Sequence, residues 1–373
     1  MVATRVAPGQ TRMIGKRPQV DLPRDIEEHS TGLRLAVVRD VFANLSDVMT
    51  FQDIPQGRSD MISFWRRGLW SSTKEREAQG WPTNLKYCMY NDLAELNLGW
   101  YNAIDVAEIY HDWTAHCVER WPGKTFVTVW DNIPYNGWNA HTPGILQGAK
   151  GFIGRSELTC KILEDKYDIP EDKIFFVPAG VDTTKFSPAT NVGDNRFSDK
   201  PTILFAGRLV WEKGLLDLIY ACDGMPWTLV IAGSGPMHSL LTDGSLPDSI
   251  DVRVIGSVPH HEMPEVYRMC DVFCYPSIPT QYWVEQFGIS VIEAMASGLP
   301  CVTTDVGAFL DFKDVYGKAV EVVPAMRYDL LRDALAKVIK NRKRLSVQAR
   351  ELTLEHYDSR AIGELLAEVY NSE

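Results

Sequence analysis

The chain has no run of about 18 apolar residues, so no segment reads as a membrane-crossing helix. Its N-terminal stretch also lacks the apolar core of a signal peptide, and the expectation is a soluble cytoplasmic protein. Positive charge is in short supply. Against 49 Asp and Glu stand 38 Lys and Arg, for a net charge of −11, which argues against broad nucleic-acid binding through phosphate contacts. The seven cysteines are odd in number and scattered, without a CxxC pair or a Cys/His cluster. They read as reduced, buried thiols, and no metal site is expected. No GxGxxG follows the first strand, and there is no GxxxxGK[ST] loop, GxSxG turn or HExxH helix. Dinucleotide-dependent redox chemistry, P-loop phosphoryl transfer, serine hydrolysis and zinc proteolysis therefore have no carrier here. Internal repeats and low-complexity tracts are absent as well.

What the sequence does hold is 373 residues, 45% of them hydrophobic, enough for two domains at about 150 residues each. Short β-branched runs alternate with helical patterns, the signature of parallel α/β sheets. Strands are expected at 33–38, 125–129, 151–154 and 174–177, then at 202–206, 228–232, 252–255, 272–275, 301–304 and 320–323. Helices are expected at 214–222, 264–269, 288–296 and 328–340. Residues 1–31 read as an extended arm, 32–185 as one domain, 186–200 as a polar linker, 201–355 as a second domain and 356–373 as a C-terminal helix. Two doubly wound units place a cleft between them, and chemistry belongs in the loops that follow the strands. Eight of eleven tryptophans fall between Trp65 and Trp138, as core packing or as sugar-stacking and membrane-facing surface. The stretch 64–81 mixes Trp65, Trp70 and Trp81 with Arg66, Arg67, Lys74 and Arg76, as a membrane-surface segment or an ordinary exposed face would.

Three segments can carry chemistry. In Gly207-Arg208-Leu209-Val210-Trp211-Glu212-Lys213-Gly214, two cations five residues apart follow a strand and open a helix. The free N–H groups there add positive charge, so the loop suits a diphosphate, although an exposed loop with a Lys213–Asp217 pair is equally consistent. Gly233 lies in a second turn, Ala232-Gly233-Ser234-Gly235-Pro236. In Glu285-Gln286-Phe287-Gly288-Ile289-Ser290-Val291-Ile292-Glu293, Gly288 opens an apolar helix in which the Glu293 carboxylate needs hydrogen-bond donors. A ribose diol or a nearby backbone loop could supply them. His260 and His261 sit in a turn that reads as ligand contact or as solvated surface.

These segments, with Val177-Pro178-Ala179-Gly180-Val181-Asp182-Thr183-Thr184-Lys185-Phe186 before them and Ala294-Met295-Ala296-Ser297-Gly298-Leu299-Pro300 after Glu293, resemble family-4 retaining glycosyltransferases of the GT-B architecture, most densely over residues 150–345. The resemblance implies two Rossmann-like doubly wound domains facing a central cleft, with a nucleotide-sugar donor, UDP- or GDP-linked, bound mainly by the second. It implies transfer of a hexose to a saccharide, lipid-linked or small-molecule acceptor, with neither cofactor nor metal. By motif position, Arg208 and Lys213 would bind the diphosphate, Glu285 the transferred sugar and Glu293 the ribose, with Gly207, Gly233, Phe287, Gly288 and Ile289 lining the donor site. The last helix would return to the first domain. Two departures mark the acceptor side, which would involve Asn44, His111, Trp130 and Asp131. Residues 40–46 contain no glycine, and Trp130 stands where relatives often place a histidine. These departures keep open a non-catalytic sugar-nucleotide-binding subunit as the alternative.

Overall fold

The computed structural model describes residues 33–39, 58–63, 86–89, 98–99, 101–134, 137–189, 196–316 and 319–372. The arm at 1–31, Asn44 with its loop, and the aromatic-cationic stretch 64–81 lie outside the described residues. The chain divides into two units, one of residues 1–180 with 359–373 and one of residues 181–358.

In the first unit the described strands are β1 (Arg34–Arg39), β2 (Arg58–Ser63), β3 (Lys86–Met89), β4 (Ala103–Ala107), β5 (Thr125–Val129), β6 (Gly151–Gly154) and β7 (Ile174–Phe176). They form one parallel sheet in the order β3-β2-β1-β4-β5-β6-β7. Apolar runs such as Thr125–Val129, buried along their whole length, fit a sheet covered on both faces. One face packs against the helices Asp112–Arg120 and Thr142–Gly148 through Val106, Val118, Val127 and Ile145. The other is covered by the helix Ser359–Tyr370, whose Ile362, Leu366 and Val369 pack among Leu35, Val37, Phe126 and Ile153. Tyr370 donates its hydroxyl to the buried Asp105 carboxylate at 2.6 Å, and Thr128 donates to the same oxygen at 2.7 Å.

The second unit holds β8 (Thr202–Ala206), β9 (Thr228–Ala232), β10 (Asp251–Gly256), β11 (Val272–Tyr275), β12 (Cys301–Thr304) and β13 (Val320–Val323), all parallel, in the order β10-β9-β8-β11-β12-β13. This is a doubly wound order whose direction reverses between β8 and β11, and ligands of such sheets sit beyond the strand ends at that reversal. The helix expected over 328–340 runs from Tyr328 to His356. No glycine or proline interrupts 341–356, and Leu345, Ala349 and Thr353 extend its buried face at four-residue spacing. Late in this helix Arg350 donates to the carbonyls of Thr183, Phe186 and Ala296 at 2.7–2.8 Å, tying the start of the unit to its interior. Cys117, Cys222, Cys270, Cys274 and Cys301 are free and buried. Burial pushes the Cys117 and Cys222 thiols up to about 12, so they behave as apolar packing groups rather than nucleophiles.

Candidate functional site

The loop after β8 and the loop after β11 converge at the strand-order reversal. Gly214 lies where they touch. With φ at +66° it is in the left-handed region, and a Cβ there would fall 1.7 Å from the carbonyl oxygen of Pro276. The Ile278 N–H donates to the Glu212 carbonyl at 2.8 Å, so the loops are joined through their backbones as well.

This approach brings Lys213 and Glu285 together across 72 residues of sequence. Lys213 Nζ lies 2.8 Å from Glu285 Oε2, both side chains being less than a tenth exposed. Ser277 donates its hydroxyl to the same oxygen at 2.9 Å. The Lys213 ammonium also faces the rings of Tyr275 at 4.9 Å and Trp283 at 4.2 Å. Burial pulls the Lys213 pKa below the ordinary lysine value, and nearby Arg208 adds to that fall, while the Glu285 and Glu212 carboxylates resist it. The Lys213–Asp217 pair is not formed. Arg208 is well exposed, its side chain 64% accessible and 3.8 Å from Glu212, a pair that water screens and that contributes little.

Glu293 sits in the buried helix Ile289–Ala296, opened by Gly288 at φ +81°. A Cβ on Gly288 would strike the Phe309 ring at 2.2 Å, so only glycine turns the chain into this helix. Two side chains partner Glu293, in place of the backbone loop that the sequence left open. His260 Nε2 is 2.7 Å from Oε1, and the Tyr267 hydroxyl donates to Oε2 at 3.1 Å. His260 is thereby drawn out of the solvated-turn reading, whereas His261 stays exposed beside Glu262. Phe287 is buried against Tyr357, and Gly233 donates its N–H to the Gly256 carbonyl at 2.7 Å, holding the second glycine turn beside Gly207.

Burial lowers the His260 pKa, but the hydrogen bond and charge of Glu293 outweigh it and leave the value raised. A raised folded value stabilises the protein fully below the unfolded pKa and loses that contribution as pH rises through the folded one. The stability advantage of wild type over His260→Gln is therefore expected to be largest near pH 5.5 and to shrink toward pH 8.5, as read by urea denaturation at each pH. An advantage that grows with pH would contradict a charged His260–Glu293 pair.

The expected acceptor-side residues that are described belong to the first unit. His111 stacks on Trp113 at 4.0 Å, the Trp130 N–H donates to Glu108 Oε1 at 3.0 Å with the Arg155 guanidinium over its ring, and Asp131 accepts from the Ile133 N–H at 2.9 Å. Among the described residues no group of three or more His, Cys, Asp or Glu side chains is placed to hold a metal ion, and no helix is long and apolar enough to cross a membrane.

Two Rossmann-like parallel units in one chain constitute the GT-B fold. The chain superposes on HepE of Anabaena, solved in complex with UDP, with a TM-score of 0.74 at 14% identity, covering 91% of this chain and all of that one. Residues 190–352 match the family described as Glycosyl transferases group 1. The chain is 31% identical over 207 residues to a phosphatidyl-myo-inositol mannosyltransferase of Mycobacterium leprae, covering 52% of this chain and 53% of the relative. It is 33% identical over 159 residues to an uncharacterized glycosyltransferase of Methanocaldococcus jannaschii, covering 39% and 40%. The chain thus spans about half or less of the length of these curated relatives.

Proposed function

We propose that the protein is a retaining glycosyltransferase that moves a hexose from a UDP- or GDP-sugar to a saccharide, lipid-linked or small-molecule acceptor. The observation that carries this reading is the buried Lys213–Glu285 pair where the two loops meet at the strand-order reversal. Transfer breaks the bond between the sugar carbon and the diphosphate oxygen and joins that carbon to the acceptor oxygen, while the acceptor proton leaves with the diphosphate. The site must offset negative charge on the departing diphosphate and positive charge on the ring. Lys213 and Arg208 serve the first need without a metal, and Glu285 serves the second. Glu293, held by His260 and Tyr267, accepts from the ribose hydroxyls in this reading. Retention rests on the likeness of the Glu285 to Glu293 spacing to family-4 enzymes. The match to a relative named as a phosphatidyl-myo-inositol mannosyltransferase supports keeping a lipid acceptor, met at a membrane surface, among the candidates.

The test is a thermal-shift screen with UDP, GDP, ADP and their sugars, followed by donor turnover. A nucleotide at 100 times its dissociation constant is expected to stabilise the protein by about 2.7 kcal/mol. Arg208→Ala is expected to weaken that nucleotide and slow donor turnover at least tenfold, by loss of a charge-assisted contact of roughly 1.5–3 kcal/mol. Full turnover by Arg208→Ala and Glu285→Ala would refute the assignment. Nucleotide binding with neither hydrolysis nor transfer would instead indicate a non-catalytic sugar-nucleotide-binding subunit.

A further inference from the structure

Trp283 is not part of the motif that carries the resemblance, yet its ring is the nearer of two aromatic faces on the Lys213 ammonium, at 4.2 Å against 4.9 Å for Tyr275. A tight turn holds it there. The Thr280 N–H donates to the Trp283 carbonyl at 2.8 Å, and the Thr280 hydroxyl accepts from the Tyr282 N–H at 3.2 Å, so residues 280–283 close on themselves just before Glu285. The Ile278–Glu212 backbone bond ties that turn to the loop that carries Lys213. Indole offers the strongest aromatic face for a cation, and the attraction grows when the cation is desolvated, as Lys213 is.

We infer that Trp283 is a positioning residue for nucleoside-diphosphate binding, acting through Lys213 by holding its ammonium charged and aimed within a box completed by Glu285 and Tyr275. The inference rests on the assignment of Lys213 to the donor diphosphate. Without an aromatic face, the buried ammonium is left to the Glu285 carboxylate, its hydrogen-bonded partner, and to the charge of Glu212. That carboxylate is the one assigned to the sugar, so the ring lets Glu285 turn to the substrate without leaving Lys213 uncompensated. Glu285, Glu212 and Arg208 are the charged groups that act on the ammonium, and burial already moves its proton affinity down. Removing the ring removes one of the forces that oppose that fall.

The experiment measures UDP and GDP dissociation constants by calorimetry from pH 7 to pH 10 for wild type, Trp283→Leu, Trp283→Phe and Lys213→Ala. Leucine keeps an apolar cover but has no ring face, and Trp283→Met takes its place should Trp283→Leu fail to fold. Trp283→Leu is expected to bind roughly tenfold more weakly, and its alkaline loss of binding begins at lower pH than in wild type. Trp283→Phe restores most of the affinity and moves the alkaline limb back. A merely structural role would leave that limb in place. If Lys213→Ala loses binding while Trp283→Leu matches wild type in affinity and pH profile, the inference about Trp283 falls and the donor assignment stands. If Lys213→Ala binds as wild type does, both fall.

Discussion

Lys213→Ala is expected to lower donor turnover by roughly 10²–10³-fold, the loss typical when a preorganised charge that stabilises a developing anion is removed. Stability falls as well. Truncation strips Glu285 of the cation that compensates it, and breaking a buried pair from one side costs about 3–5 kcal/mol. The two effects separate in the double variant Lys213→Met with Glu285→Gln. Replacing both partners with neutral groups of similar size removes the uncompensated charge, so much of the lost stability returns. Turnover does not return, because the diphosphate still lacks its cation. Urea denaturation and donor consumption on wild type, Lys213→Ala and the double variant read the two quantities. Recovery of turnover in the double variant would show that the pair is architecture and that the chemistry lies elsewhere.

Gly214→Ala is expected to be the most damaging single-methyl change in the second unit. Left-handed backbone costs a non-glycine residue about 1–2 kcal/mol. Here the added Cβ also meets the Pro276 carbonyl oxygen at 1.7 Å, a contact relieved only by parting the two loops that carry Lys213 and Glu285. The internal comparison is Gly224, at φ +70°, where an added Cβ has no atom within 4 Å. Gly224→Ala should therefore show the conformational cost alone, and Gly214→Ala should exceed it by at least about 2 kcal/mol in urea, as overpacked sites do, with loss of nucleotide binding. Equal effects at the two positions would mean that the loops are free to separate.

The strands β5, β6, β8, β9, β11, β12 and β13 lie where the residue pattern puts them, because a buried parallel strand is a run of four to six mostly apolar residues bounded by turn residues, too short for a typical helix. β4 and the helices Asp112–Arg120 and Glu157–Tyr167 were harder to see. Ala103–Ala107 carries a buried Asp105 in mid-strand, and its partners, Thr128 and Tyr370, are 23 and 265 residues distant. No local pattern reveals that such a carboxylate is satisfied. At the site, Arg208, Lys213, Glu285 and Glu293 stood out because charge in a Gly-rich or apolar setting is conspicuous. Tyr267, Ser277 and Trp283 did not, since each resembles ordinary helix or loop composition until the fold brings it to a charge. His260 was visible as a turn residue open to ligand contact or to solvent, and its pairing with Glu293 depends on the 33-residue excursion through β11. The departures at Trp130 and Asp131 have local structural roles in the first unit, a backbone bond to Glu108 and a turn at Ile133.

The bond between Asp105 and Tyr370 also sets an order of events during synthesis. The second unit is one continuous stretch of chain, whereas the first is interrupted by it and is covered by a helix that begins only at Ser359. At about 5–20 residues per second, the 265 residues that separate Asp105 from Tyr370 take the ribosome roughly 13–50 s to add. Until it ends, Val37, Phe126 and Ile153 lack the helix that covers them, so the first unit completes its core only after the second has been made.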